Sequence, residues 1–216
     1  MNDQKKSNTS RIFIIAEIGT SHNGDLDRAS MLIDAAAAAG AGCVKTQIIF
    51  ADEIIHPKTG VVELPGGSIR LFDRFLELEQ DFEFYRKLKN LTEAAGLEFL
   101  ASPFGYMSLD WLLKLGCKMI KIASPELNHF PLLELAAGTG KKLLLSTGVS
   151  KLSDIEAALN CIASVSETAR QQAVLMHCIT SYPAPEEEYN LNVIPALSGR
   201  FGIPAGVSDH SLDPVM

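Results

Sequence analysis

The chain has 216 residues, 47% hydrophobic and 21% charged, which is ample material for the packed core of one domain. A formal net charge of −7 argues against a nucleic-acid partner for the surface as a whole, while leaving room for a local anion site. Residues 1–10 are polar, and no apolar run approaches the roughly 18 residues of a membrane span, so no membrane partner is expected.

Residues 1–10 are expected to be disordered. Strands are predicted over 11–19, 43–49, 97–102, 119–126, 142–146, 173–179 and 205–208, from β-branched and apolar runs closed by turn residues. Helices are predicted over 25–40, 82–95, 108–115, 132–137, 153–163 and 191–197. Asp25 and Ser153 are the expected N-caps, and Gly40 is the expected stop of the first helix. The connection 50–81 is long enough to be functional, and its second half, 71–79, has helical spacing. Cys43, Cys117, Cys161 and Cys178 are widely spaced with no C-x-x-C pair, and read as reduced thiols of a cytoplasmic protein.

Strict alternation of strand and helix means a parallel sheet, closed or doubly wound. No G-x-G-x-x-G follows the first strand, which weakens a dinucleotide-binding reading. Polar residues recur at the C-terminal ends of the strands, so the expected fold is an α/β (β/α)8 TIM barrel. The chain stops at Met216 after strand seven, and the barrel over 11–216 therefore reads as truncated.

Period-two alternation gives an inward set at the mouth. Strand one offers Glu17 with Phe13 and Ile15, and strand two offers Lys45 and Gln47 with Cys43. Strand three offers Ser102; strand four offers Lys121, with Ser124 just past it; strand five offers Ser146. Strand six offers His177, then Thr180 and Tyr182 beyond it, and strand seven offers Ser208 and His210. An ammonium on the inner face of a buried strand costs several kcal/mol unless an anion or carboxylate meets it. Two lysines and four serines on one rim suit a compact polyanion such as a phosphate. Lys121 paired with a carboxylate, and Lys45 paired with Glu17, are the structural alternatives.

The histidines divide. His210, after the last strand, suits a transition-metal ligand. His22, in the turn after strand one, reads as a solvated or backbone-bonded loop residue, and His177 as a hydrogen-bonded core histidine. His56 and His129 are loop residues. Glu17 and Glu126 are the carboxylates positioned for proton transfer or for sugar hydroxyls.

Ile14-Ile-Ala-Glu-Ile-Gly-Thr-Ser-His-Asn-Gly-Asp25 resembles the opening motif of the sialic acid synthases. So, in the same order, do Val44-Lys-Thr-Gln47, Ala101-Ser-Pro-Phe104, Lys121-Ile-Ala-Ser-Pro-Glu126, Leu145-Ser-Thr-Gly148, His177-Cys-Ile-Thr-Ser-Tyr-Pro-Ala-Pro185 and Gly206-Val-Ser-Asp-His210. The resemblance implies condensation of phosphoenolpyruvate with an N-acyl mannosamine-type aldose to a nine-carbon 2-keto acid, with phosphate released. It implies a divalent metal, typically Mn2+ with Mg2+ or Co2+ as alternatives, and His210 as one of two metal histidines. By position, Lys45, Ser102, Lys121, Ser124, Ser146 and Ser208 would hold phosphoenolpyruvate; Thr180 lies on the phosphate side and Gln47 is a further substrate contact. Glu17, Glu126 and Tyr182 would contact the sugar or assist proton transfer.

Two residues depart from the family pattern: Thr180 stands where asparagine is usual, and Pro125 where glycine is usual. The second metal histidine and the C-terminal antifreeze-like domain would lie beyond Met216. The competing expectations are a silent barrel fragment that only binds the anion, and a Schiff-base aldolase using Lys121. An open barrel edge makes a homodimer the expected assembly.

Overall fold

The computed structural model describes residues 12–64 and 67–212; the segment 1–10, expected to be disordered, lies outside them. The architecture is α/β with parallel strands in chain order. β1 (Ile15–Gly19), β2 (Cys43–Gln47) and β5 (Glu98–Ser102) form one sheet. A second contains β6 (Met119–Ile122), β7 (Lys142–Ser146), β8 (Val174–His177) and β9 (Ala205–Val207). β5 and β6 lie against each other where the two sheets meet. The seven parallel strands match the seven expected, although several are shorter at their ends.

Alternation along these strands builds two apolar layers. Val44, Phe99, Ala101, Ile120, Ile122, Leu143, Leu145 and Leu175 face the helices and join Ile33, Leu88, Leu112, Leu132 and Ile162 in the main core. On the other face, Cys43, Leu100, Met119 and Leu144 pack with Ile15, Val174 and Met176. This inner layer is the floor of the site. One step along the same faces come Glu17, Lys45, Ser102, Lys121 and Ser146, so the two-residue period carries each strand from apolar floor to polar rim.

The helices fill the intervals. α1 (Leu26–Ala38) starts as expected, with the Asp25 carboxylate accepting from Asp27 N–H at 2.8 Å and Arg28 N–H at 3.2 Å. α4 (Phe82–Ala94) is capped by Asp81 in the same way. The expected Ser153 cap is displaced. α7 (Leu152–Val165) begins one residue earlier, and Asp154 accepts the Lys151 N–H at 2.7 Å, so Ser153 lies within the helix. α8 (Glu167–Gln172), with Ser166 as its cap, follows where no separate helix was expected.

The long connection is structured. It holds α2 (Ala51–Ile54), an antiparallel hairpin of β3 (Val61–Leu64) and β4 (Gly67–Arg70), and α3 (Leu71–Leu76). Its start is anchored by Ile49 N–H to the Tyr85 hydroxyl at 3.2 Å and Ala51 N–H to Glu79 Oε1 at 2.6 Å. α5 (Tyr106–Lys114), α6 (Phe130–Gly138) and α9 (Val193–Phe201) are the remaining α-helices among the described residues.

Two expectations about facing and one about a strand's end need correction. Phe13 precedes β1, half-exposed, with its ring against Gly42 rather than on the inner face. β6 ends at Ile122, not Glu126, because Ser124–Asn128 winds into a 3-10 turn. Pro125 fits there: at the start of a helical turn its missing N–H leaves no bond unmade. His177 points away from the inner layer that Val174 and Met176 face, and its Nε2 meets the Tyr189 carbonyl at 2.5 Å.

Candidate active site at the strand ends

The pairing register sets side chains from distant motifs side by side. Glu17 stands opposite Lys45, Gln47 opposite Ser102, and Lys121 opposite Leu144. Lys45 Nζ lies 2.7 Å from Glu17 Oε2, so this pairing, an alternative in the sequence, is present; the lysine is buried while the carboxylate is half-exposed.

Lys121 is 9% exposed and donates to the Ser146 hydroxyl and, at 3.2 Å, to the Ile122 carbonyl. Its direct partners are neutral, not a carboxylate. Burial, and then the nearby Lys45 charge, push Lys121 down to about 7. An ammonium held this way is short of negative charge, and an entering anion would supply it.

The hydroxyls around it are not saturated. Ser102 is fully buried, and its Oγ finds no hydrogen-bond partner among the described residues. Such an orphan is rare in a finished core and suits a site that a ligand completes. Ser124 Oγ accepts from Gly148 N–H at 3.1 Å and lies 3.2 Å from Cys178 Sγ. Gly148 must be glycine here: a Cβ would fall 2.9 Å from Ser124 Oγ, 2.8 Å from Cys178 Sγ, and against Thr180 Oγ1. Cys178 is thus part of the wall, a role the sequence did not show because a lone cysteine carries no spacing signal.

Glu126 rides the 3-10 turn above Ser124. Its Oε2 is buried without a partner among the described residues, and burial raises the carboxyl to about 7, partly opposed by a backbone hydrogen bond and the Lys121 charge. Near neutral pH it is poised between acid and base.

The remaining candidates lie on a more open side. Tyr182 is 75% exposed and stacks on His210 with ring centroids 4.2 Å apart. His210 Nδ1 lies 2.7 Å from the Ile179 carbonyl and must donate to it, which leaves Nε2 as the acceptor nitrogen. That nitrogen is 3.2 Å from the Tyr182 hydroxyl and 3.4 Å from Ser208 Oγ. An imidazole oriented by a backbone carbonyl, with its other nitrogen presented, is how proteins hold a metal-ligating histidine. His210 therefore fits one ligand position. Among the described residues, no group of three or more His, Cys, Asp or Glu side chains assembles around a metal. Thr180 is exposed next to Gly148.

His22 is not the solvated loop residue that was one expectation. It is 2% exposed, accepts from Gly24 N–H at 3.1 Å, and packs on Phe84; burial, then Arg28, lowers its pKa. The four cysteines are free thiols, three of them buried. Arg70 and Asp73, in the inserted segment, bond each other through two 2.7 Å contacts at an exposed position.

A family model described as the NeuB family matches residues 32–216. The chain belongs to the NeuB family. It is 37% identical over 205 residues to an N,N'-diacetyllegionaminic acid synthase of Campylobacter jejuni, covering 93% of this chain and 61% of that protein. It is also 37% identical to the spore coat polysaccharide biosynthesis protein SpsE of Bacillus subtilis, covering 94% of this chain and 54% of that one. Among solved structures, an N-acetylneuraminic acid synthetase of Leptospira borgpetersenii in complex with citrate superimposes with a TM-score of 0.82 at 32% identity, over 93% of this chain and 65% of that one. A DAHP synthase of Thermotoga maritima shares the fold at a TM-score of 0.62 and 15% identity. The chain spans between half and two thirds of the length of these relatives. No helix among the described residues is long and apolar enough to cross a membrane.

Proposed function

We propose that the strand-end site binds phosphoenolpyruvate and condenses it with an N-acyl mannosamine-type aldose, giving a nine-carbon 2-keto acid and phosphate. The single observation that carries this reading is Lys121, buried against the Ser146 hydroxyl beside Lys45, with a Ser102 hydroxyl on the same rim that has no partner among the described residues. The relatives named as synthases of legionaminic and N-acetylneuraminic acids are consistent with it. The fold proposed for the complete site is the closed (β/α)8 barrel, in a homodimeric cytoplasmic protein.

In this reading Lys45 and Lys121 supply charge to the phosphate and carboxylate, while Ser102, Ser124 and Ser146 supply directional donors. Gln47, Thr180 and Ser208 complete the ring around the anion. Glu17 and Tyr182 face the sugar. The enol carbon of phosphoenolpyruvate bonds to the aldehyde carbon, water adds at the neighbouring carbon, and phosphate departs. Glu126, protonated up to about pH 7, can give a proton to the oxygen formed from the aldehyde. A divalent metal, Mn2+ with Mg2+ or Co2+ as alternatives, held in part by His210 Nε2, would supply Lewis-acid polarisation of that aldehyde.

The test is phosphate release from phosphoenolpyruvate, measured with each component omitted in turn. Release is expected only with an N-acyl hexosamine and Mn2+ together; release without the sugar would overturn the condensation. A protein that binds phosphoenolpyruvate and never turns over would support the reading of an anion-binding fragment.

The low pKa of Lys121 favours a second reading, because a Schiff-base lysine must be neutral to attack a carbonyl. Borohydride trapping of a carbonyl substrate on Lys121 would establish it. The adjacent Lys45 and the open hydroxyls favour the anion.

A further inference from the structure

Glu53 sits in α2, within the inserted segment, yet its carboxylate reaches the start of α5 more than fifty residues away. Oε1 accepts the Met107 N–H at 2.5 Å, and Oε2 accepts the Ser108 N–H at 3.1 Å and the Ser108 hydroxyl at 2.5 Å. The N-cap residue of α5 is Gly105, which has no side chain to satisfy those amides, so a residue from another element does it.

The contact continues toward the rim. The Ser108 oxygen also accepts from Phe104 N–H at 2.9 Å and Gly105 N–H at 3.0 Å, and Ser108 is fully buried. These amides belong to the turn that leaves Ser102 through Pro103. A Cβ at Gly105 would lie 2.6 Å from the Glu53 carboxyl carbon, so glycine is what allows the close approach. On the other side, Ile48 N–H donates to the Ser102 carbonyl at 3.1 Å, joining the chain after Gln47 to the same turn.

We infer that Glu53 is a positioning residue for the anion site: through Ser108 it fixes the turn behind Ser102 against the end of β2, which carries Lys45 and Gln47. Nothing in Glu53 touches the anion; it acts on where Ser102 Oγ points. A preset donor binds its anion without spending binding free energy on ordering the turn. The inference rests on the proposed phosphoenolpyruvate site.

The test is calorimetric titration of the full chain with phosphoenolpyruvate, paired with thermal melting. Glu53→Ala is expected to weaken binding by up to about fivefold, no more than the loss of the Ser102 hydroxyl itself. Ser166→Ala removes a cap of similar kind from α8, where Ala169 N–H is its partner, and is expected to lower the melting temperature without altering affinity. If Glu53→Ala fails to fold, Ser108→Ala breaks the relay while leaving Glu53 on the Met107 and Ser108 amides, and it is expected to weaken binding in the same way.

The double variant should be no weaker than the more affected single variant, because both act through one turn. Melting losses like that of Ser166→Ala, with unchanged affinity in both variants, would reduce Glu53 to a helix cap and overturn the inference. A wild-type chain that binds no phosphoenolpyruvate would sink the anion site and this inference together; unchanged variants of a binding wild type would sink this inference alone.

Discussion

The two sides of the rim are built on one plan and finished differently. From β2 to β7 the strand-end groups are buried: Lys45, Ser102, Lys121 and Ser146 are all at most 9% exposed. Past β8 and β9 the side is more open, with Tyr182 at 75% exposure and Thr180 also exposed, while Ser208 and His210 are partly buried. Burial on the first side makes each charge and hydroxyl expensive to leave unmatched, which suits the small anion proposed for it. On the second side solvent screens the exposed groups, and contacts made there would discriminate by shape and by hydroxyl pairing. The proposed anion would centre on the dry side and reach Thr180 and Ser208 only at its edge, with the proposed sugar beyond them on the wet side.

The largest expected effect comes from the dry side. Lys121→Met should reduce phosphoenolpyruvate affinity at least about a hundredfold, since a desolvated ion-pair partner is worth roughly 3–5 kcal/mol. The same change should raise the melting temperature, because it removes a buried ammonium with no carboxylate partner. Titration and melting of one preparation check both, and a loss of affinity accompanied by lower stability would contradict the assignment.

Next, pH separates the sides. Lys121 sits near 7 in the folded chain against 10.5 as its ordinary value, so above pH 7 the folded chain gives up a proton that an anion needs. Affinity for phosphoenolpyruvate should therefore fall as pH rises from 7 to 9, approaching tenfold per unit if the lysine alone governs. The stability term has the opposite sense: the unfolded chain holds the extra proton between 7 and 10.5, so the burial penalty is full below 7 and fades as pH rises. A flat affinity profile would remove Lys121 from the site.

Glu126 offers a third effect of smaller size. Its folded pKa is raised from 4.5 to about 7, so its contribution to stability is present below 4.5 and is lost as pH rises through 7. Glu126→Gln should therefore stabilise the chain at pH 8 by on the order of 2–3 kcal/mol, measured by denaturant unfolding. Turnover should fall with it if the proposed proton transfer is correct, a stability gain at the cost of function.

Ser102→Ala should weaken phosphoenolpyruvate binding by about 1 kcal/mol while leaving melting unchanged or slightly raised, because its hydroxyl has no partner to lose among the described residues. Smallest of all is Tyr182→Phe on the wet side. It should leave phosphoenolpyruvate titration unaltered and act only on the sugar-dependent rate. An equal effect on both would erase the contrast between the two halves.

Much of the dry side was legible beforehand. Lys121 stood out because a charge interrupted an apolar strand, and the two-residue period placed Lys45, Ser102 and Ser146 on the same face. The same rule failed for His177, since alternation does not say which of two faces is inward until a neighbouring strand is packed. It overran at Glu126 because Pro125 both ends a ladder and starts a helical turn, and strand propensity alone does not choose. Glu53 was invisible. Its partners lie more than fifty residues away, and a glutamate in a long connection carries no pattern.

The amino-acid sequence by itself determined the alternation of strand and helix, the Asp25 cap, the polar strand ends and the kinship of the motifs, all of which are written in spacing of a few residues. Only the tertiary structure decided that Lys121 meets a hydroxyl, that Ser102 has no partner among the described residues, that Cys178 lines the wall, and that Glu126 stays half-protonated near pH 7. The reason is physical: periodicity is local, whereas desolvation and hydrogen-bond partnership depend on which distant strands close around a group.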